Sequence, residues 1–340
     1  MKHIKLRHIV YAWSVFFWAL TSLFSHANAQ KINGANIVSL IEKSNEDPFK
    51  GLERINADWV ALCIYAFMYT DDPKVHYNID KNWWGDTPEG ILNAVKYAKE
   101  KNYKILIKPH FRVDDEGWAG DFFPKSKQME DWEKNYRKFI LDLAVLAEEN
   151  DVAMLCIGTE LKELARNKTR FWKSLINDIR KVYKGELTYA ANWDNMGQIK
   201  FWGDLDYIGV DAYFPLSDEK TPNVNNLLKK WSVPVRLLQK THKRHQKPII
   251  FTEFGYRSID FTAWKQWEIE GLESHVNVNI AAQIFSYQAL FESVWNKEWF
   301  AGGFLWKWLP NDHEIGGNNH SNYTPQHKPV EQIIKSWYTR

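Results

Sequence analysis

The stretch at residues 152–160, VAMLCIGTE, is decisive for the fold. Seven apolar or small residues run without a polar break and stop at Thr159-Glu160. A strand exposed on one face alternates apolar and polar side chains, whereas an unbroken run fits a strand covered on both faces, as in a parallel sheet. Similar short runs recur at 35–40, 59–65, 103–108, 187–191, 207–210, 248–252 and 303–306. Longer stretches separate most of them, with apolar residues at close to helical spacing: 90–100, 131–149, 170–183, 227–242 and 280–295. In 131–149 the repeat is carried by Trp132, Tyr136, Phe139, Ile140, Leu143 and Leu146. Eight buried strands alternating with helices predict an α/β chain, a (β/α)8 TIM barrel. A doubly wound open sheet is the alternative, but no Gly-rich phosphate loop follows any strand. No Pro/Gly/Ser-rich linker divides the chain, so a single domain is expected, with its extra length in loops at 118–128, 257–275 and 310–329.

The first residues stand apart from this pattern. Lys2, Lys5 and Arg7 precede a mostly apolar stretch at 9–24, and Ala27-Asn28-Ala29 supplies small residues at a cleavage site. This predicts a secretory signal peptide over 1–29 and a mature domain over 30–340, exported to the periplasm or beyond. The apolar stretch is shorter than the about 20 residues of a membrane span, and no Cys lies near the junction to carry a lipid. Cleavage leaves 311 of the 340 residues and shifts the net charge from +2 to −1, because the leader holds three Lys/Arg and no acidic residue. So even a balance gives no reason to expect nucleic acid as a partner. No later segment is apolar and long enough to span a membrane, and a monomer is expected. Cys63 and Cys156, each inside an apolar run, read as buried free thiols and not as a bridge. Aromatic residues are abundant: 18 Trp, 15 Tyr and 19 Phe. That is more flat apolar surface than a core needs, and such faces stack on sugar rings.

In a barrel of this kind chemistry sits where strands end and βα loops begin. Polar groups recur there: Lys108 and His110 after strand three, Glu160 after strand four, Asn192 and Trp193 after strand five. Asp211 and Tyr213 follow strand six, Glu253 strand seven and Trp306 strand eight. Glu160 and Glu253 each end an apolar run, where an unpaired carboxylate is costly to bury. On strands four and seven they face each other across the mouth, and such a pair can hydrolyse a glycosidic bond. A strand-end salt bridge is the plainer reading of either glutamate alone. The acidic run 114–116 reads as a solvated loop, and the basic run 240–247 as a helix end, where cations suit the dipole. His313, His320 and His327 recur every seven residues, a spacing without a recognised metal pattern, so neither metal nor cofactor is expected.

The segments IKPHF (107–111), CIGTELKEL (156–164), TYAANWD (188–194), YIGVDAYFP (207–215), IFTEFGYRS (250–258) and GGFLWKW (302–308) carry a more specific likeness. Together they resemble glycoside hydrolase family 113 of clan A, the retaining glycosidases on (β/α)8 barrels, a family known for endo-β-1,4-mannanases. The resemblance implies Glu160 as general acid/base, Glu253 as nucleophile and Tyr213 as the tyrosine contacting the nucleophile. It also implies Trp306 as the platform under the sugar at the cleavage site, with Lys108 and His110 lining the same subsite. Many clan members have Asn before the acid/base, where it holds the sugar 2-hydroxyl; here Thr159 stands there, and Asn192 is a candidate substitute. The expected activity is therefore retaining, endo-acting hydrolysis of β-mannan or glucomannan. Another clan A β-glycosidase (exo-β-mannosidase, β-glucanase or xylanase) is the nearest alternative, and a non-catalytic carbohydrate-binding protein a further one.

Overall fold

The computed structural model describes residues 31–340 apart from 45, 79–81, 114–116, 270–276 and 311. The expected leader at 1–29 and the acidic run at 114–116 lie outside the described residues. The strands are β1 Ile32–Ile37, β2 Trp59–Tyr69, β3 Asp72–His76, β4 Lys104–Val113, β5 Met154–Thr159, β6 Glu186–Asn192, β7 Ile208–Asp211, β8 Ile249–Phe254 and β9 Phe300–Trp308. They hydrogen-bond in the order β1-β9-β8-β7-β6-β5-β4-β2-β3, and β1 also pairs with β2, which closes the sheet. Every pairing around the ring is parallel. β3 stands outside it, folded back antiparallel on the end of β2. The result is a closed eight-stranded parallel barrel in a single domain.

The helices are α1 Pro88–Glu100, α2 Met129–Glu149, α3 Lys162–Asn167, α4 Thr169–Val182, α5 Val224–His245, α6 Gln266–Ile269, α7 Ile280–Val294 and α8 Val330–Tyr338. Their starts and faces follow local chemistry. Thr87 caps α1 by accepting from the Gly90 N–H, and Pro88 takes the first turn, where its missing N–H costs nothing. In α4, Phe171, Trp172, Leu175, Ile176 and Ile179 form one buried stripe. Among the described residues, the β1–β2 and β6–β7 connections hold only short 3₁₀ turns, at Leu52–Ile55, Met196–Gln198 and Trp202–Asp204. Among the described residues, no helix is long and apolar enough to cross a membrane. Cys63 and Cys156 are buried free thiols.

Alternation sorts the strand side chains into two cores. Ile32, Trp59, Ala61, Leu106, Met154, Cys156, Ala190, Ile250 and Phe304 form the cluster inside the barrel. Their neighbours, such as Ile105, Ile107, Leu155, Ile157, Ile249 and Phe251, join the larger core under the helices. Gly34 makes room for the inner layer: a Cβ there would lie 2.3 Å from the Phe304 ring.

The first strand differs from expectation, running Ile32–Ile37 instead of 35–40. Its sequence, INGANI, carries two asparagines that make it look like a loop. Both are buried with their amide N–H groups bonded: Asn33 Nδ2 donates to the Tyr338 carbonyl, and Asn36 Nδ2 approaches the carbonyls of Thr252, Phe304 and Leu305. The other expected strands lie within or close to the observed ones, with β2 and β4 extended toward the mouth of the barrel.

Candidate active site

Parity along β4 builds the floor of the site. Leu106 points into the barrel, so Lys108 and His110 follow it inward in successive layers. Lys108 is wholly buried, with Nζ 2.5 Å from Glu253 Oε1 and 3.3 Å from both Asp211 Oδ1 and the Thr252 carbonyl. Thr252 Oγ1 donates to the same Asp211 oxygen at 2.8 Å. Above this layer, Tyr213 donates its hydroxyl to Glu253 Oε2 at 2.7 Å. Glu253 thus has a donor on each carboxylate oxygen, which fixes its plane.

Both glutamates are aimed by irregularities in their strands. Phe251 and Phe254 both belong to the outer core, although strict alternation puts residues three apart on opposite faces. Pairing accounts for this. Between Phe251 and Phe254 on β8, the partner strand β9 advances only from Gly303 to Leu305, and β7 advances only from Val210 to Asp211 while β8 goes from Phe251 to Glu253. The extra residue is a bulge that turns Glu253 inward. On β5 the register likewise slips by one residue between Cys156 and Thr159 against β6. Glu160 follows directly, in the left-handed region at φ 52°, its N–H bonded to the Ala190 carbonyl at 2.8 Å. Non-glycine residues seldom adopt that conformation, and such residues cluster at functional sites.

The cleft over these groups has a volume of about 830 Å³ and is lined by both glutamates together with His110, Asn192, Trp193, Tyr213 and Trp306. Tyr65, Trp118, Trp267 and Tyr323 complete its aromatic wall. The His110 ring stacks on Trp306 with centroids 5.5 Å apart, and Tyr65 packs tilted against His110 at 5.2 Å. Trp118 donates its indole N–H to Glu160 Oε2 at 3.3 Å.

Electrostatics separates the two carboxylates. Burial pushes Glu160 up to about 7, and the nearby Glu253 charge adds to the rise; Trp118 and Lys108 oppose it. At Lys108, burial favours the neutral amine, but Asp211 and Glu253 outweigh it and hold the ammonium charged. One cation then faces two buried carboxylates, and Asp211 is driven well above the ordinary range by burial and by Glu253. Burial, with Lys108 and Lys307 nearby, holds His110 well below its usual value, so its ring is neutral. His110 Nε2 lies 3.7 Å from Glu253 Oε1, and neither it nor the buried Asn192 Oδ1 has a hydrogen-bond partner among the described residues. Both are poised to meet a ligand hydroxyl.

Seven of the nine residues expected from the sequence meet in this cleft: Glu160, Glu253, His110, Asn192, Trp193, Tyr213 and Trp306. Lys108 and Asp211, expected to touch substrate, are instead sealed beneath it at 0% exposure. There Lys108 holds its ammonium against Glu253, and Asp211 accepts from Lys108 and Thr252 beneath it. Trp118, at the start of the expected 118–128 loop, reads from the sequence either as loop packing or as a sugar contact, and it lines the cleft. Tyr65, Tyr323 and Trp267 are not among the residues the sequence points to, although Tyr65 ends the second apolar run. The others sit on loops whose course the sequence pattern does not give. Among the described residues no group of three His, Cys, Asp or Glu could hold a metal. His327 Nε2 lies 2.9 Å from the Asp312 carbonyl, within the loop itself.

A family model described as Glycoside Hydrolase Family 113 matches residues 38–328. The chain belongs to glycoside hydrolase family 113. It is therefore a glycoside hydrolase of the mannanase-like kind, and its substrate is a carbohydrate. Solved structures share the barrel. The family 113 β-mannanase of Alicyclobacillus acidocaldarius, in complex with ManMIm, matches with a TM-score of 0.78 and 21% identity, over 91% of this chain and 97% of its own. A family 113 β-1,4-mannanase matches with a TM-score of 0.77 and 22% identity, over 91% and 99%. A glycoside hydrolase family 5 mannosidase from Rhizomucor miehei matches at 0.60 and 14% identity, over 91% and 92%. No curated protein matches this family 113 chain significantly.

Proposed function

We propose that this chain is an endo-acting, retaining β-1,4-mannanase that works by double displacement. The observation that carries the reading is the unlike environment of the two glutamates. Glu253 is held by Lys108 and Tyr213, whereas Glu160 is pushed up to about 7. In the first step the Glu253 carboxylate attacks the anomeric carbon and the glycosidic C–O bond breaks. Glu160 gives its proton to the departing oxygen. Esterification removes the Glu253 charge, which is one cause of the raised Glu160 pKa, so Glu160 now accepts a proton from water as that water attacks the anomeric carbon and the bond from that carbon to Glu253 breaks, releasing the carboxylate. Trp306 supplies the flat face under the reacting ring, and His110 and Asn192 offer polar atoms to its hydroxyls.

The mannan preference rests on family membership and on the mannanases named among the structural neighbours. Under this proposal the leader at 1–29 exports the protein, which then acts as a monomer on polysaccharide in the periplasm or outside. The test has two parts. Activity on mannan, glucan and xylan with sizing of the products should give mannan turnover into mixed oligosaccharides; release of mannose alone would indicate exo action. Proton NMR of the first product, taken before mutarotation, should show the β anomer, because carboxylates on these two strands of one barrel stand about 5–5.5 Å apart in retaining enzymes. An initial α anomer would mean inversion and would remove Glu253 as nucleophile.

A further inference from the structure

Trp267 is an exposed tryptophan that is nonetheless firmly mounted. It sits on α6 with 45% of its surface open to solvent, yet its ring stacks on Trp193 with centroids 6.2 Å apart and an interplanar angle of 28°. Its neighbour Gln266 is 3% exposed and clamps the segment to the end of β8: Oε1 accepts from the Arg257 N–H at 3.1 Å and Nε2 donates to the Gly255 carbonyl at 3.2 Å. Trp193 is braced from beneath by Phe214 at 5.8 Å. A large apolar ring fixed in place and left uncovered forgoes the stabilisation of burial, and both rings line the cleft that holds Glu160 and Glu253.

Position tells which part of a ligand would cover them. Trp193 follows Asn192, the last residue of β6, and β6 pairs with β5, which leads into Glu160. Asp194 is ion-paired at 2.7 Å to Lys162, two residues past Glu160. The tryptophan pair therefore belongs to the arc of the rim that carries the acid/base, while Trp306, His110 and Tyr65 form a separate set of ring contacts on β9, β4 and β2. A proton given by Glu160 goes to the oxygen of the departing sugar, so that sugar lies on the Glu160 side.

We infer that Trp267, stacked on Trp193, is a binding subsite for a pyranose ring on the leaving-group side of the scissile bond, and that it sets the preference for longer β-linked oligosaccharides. The inference rests on Glu160 being the acid/base. Trp267 reaches the cleft from the segment that follows β8, so the subsite is a property of that segment and not of the barrel.

The experiment pairs kinetics with binding. Trp267→Ala should lower the ratio of kcat/KM for β-1,4-mannohexaose to that for β-1,4-mannotriose by about tenfold, the effect of uncovering one stacked ring. Trp267→Phe, which keeps an aromatic face, should restore most of the ratio. Trp264, 36% exposed in the same loop but absent from the cleft wall, is the control, and Trp264→Ala should leave the ratio unchanged. Binding of manno-, cello- and xylohexaose to a Glu253→Gln chain, with and without Trp267→Ala, separates this inference from the mannan reading. Tight binding of another hexaose that Trp267→Ala weakens about tenfold would overturn mannan but uphold the subsite. An unchanged length ratio together with unchanged hexaose binding in Trp267→Ala would overturn the subsite whichever sugar binds.

Discussion

Replacing Lys108 by Met tests the charge arrangement under the nucleophile. Met has a similar length and no charge, so the packing of the inner layer is nearly kept while one cation is removed from between two carboxylates. Lys108 and Asp211 are both fully buried, with 3.3 Å between Nζ and Oδ1. Glu253 Oε1 lies 2.5 Å from the same Nζ, and at an effective dielectric of about 20 opposite unit charges at that distance attract by about 7 kcal/mol. Desolvation of the ammonium offsets part of this attraction, so the net loss should fall near the about 3–5 kcal/mol typical of breaking a buried pair. That is a large share of the about 5–15 kcal/mol that holds a domain folded. Urea unfolding at pH 7 should report it. The loss should shrink on going toward pH 5. Asp211 already stands above its ordinary value in the folded chain and loses the one nearby cation that lowers it, so without Lys108 the folded chain binds more protons there and stability falls as pH rises. Adding Asp211→Asn to Lys108→Met should recover part of the stability, since a second buried acid no longer sits beside Glu253. Turnover should fall by about a hundredfold, as for loss of one charged or polar donor at a reacting group. A Lys108→Met chain within about 1 kcal/mol of the wild type at pH 7 would refute the argument, because breaking a buried pair costs more than that. So would a double variant less stable than the single.

Three further outcomes follow from the site. Glu253→Ala should abolish turnover on every substrate, whereas Glu160→Ala should spare substrates whose leaving groups need no proton and should be partly rescued by azide; equal loss on activated and natural substrates, with no rescue, would remove Glu160 as acid/base. Because the acid must be protonated at the start, kcat/KM on mannan oligosaccharides should fall as pH rises through about 7, and this limb should vanish in Glu160→Ala. A pH profile flat to pH 9 would contradict the raised Glu160. Trp306→Ala should cost about a hundredfold in kcat/KM by misplacing the reacting ring without unfolding the barrel, as followed by circular dichroism and kinetics; wild-type kinetics would take Trp306 out of the site.

Much of this molecule is legible in its sequence. Unbroken runs such as VAMLCIG and helical repeats such as 131–149 encode burial on two faces and on one stripe, and these periods suffice for a closed parallel sheet wrapped by helices. Position at strand ends then points to the glutamates, because the mouth of a barrel is where polar groups meet solvent and each other. INGANI defeated the same logic, since its asparagines are buried through hydrogen bonds to Tyr338 and to β8 and β9, elements more than two hundred residues away.

What sequence alone determines here is the set of elements and the residue types at their ends, because those depend on local periodicity. Which way each side chain points at the rim is decided only by the tertiary structure. Simple alternation puts Glu253 on the outer face with Phe251; an extra residue in β8, visible only in its register against β7 and β9, turns it inward. The same holds for Lys108 and Asp211, which read as strand-end ligands and are in fact sealed under the nucleophile. Trp118 and Trp267 reach the cleft along loops whose paths are set by partners such as Glu160, Gly255 and Arg257. Alternation is a property of one strand, but a bulge, a buried ion cluster and a clamped loop are each made by several segments at once, so no single segment carries their signature.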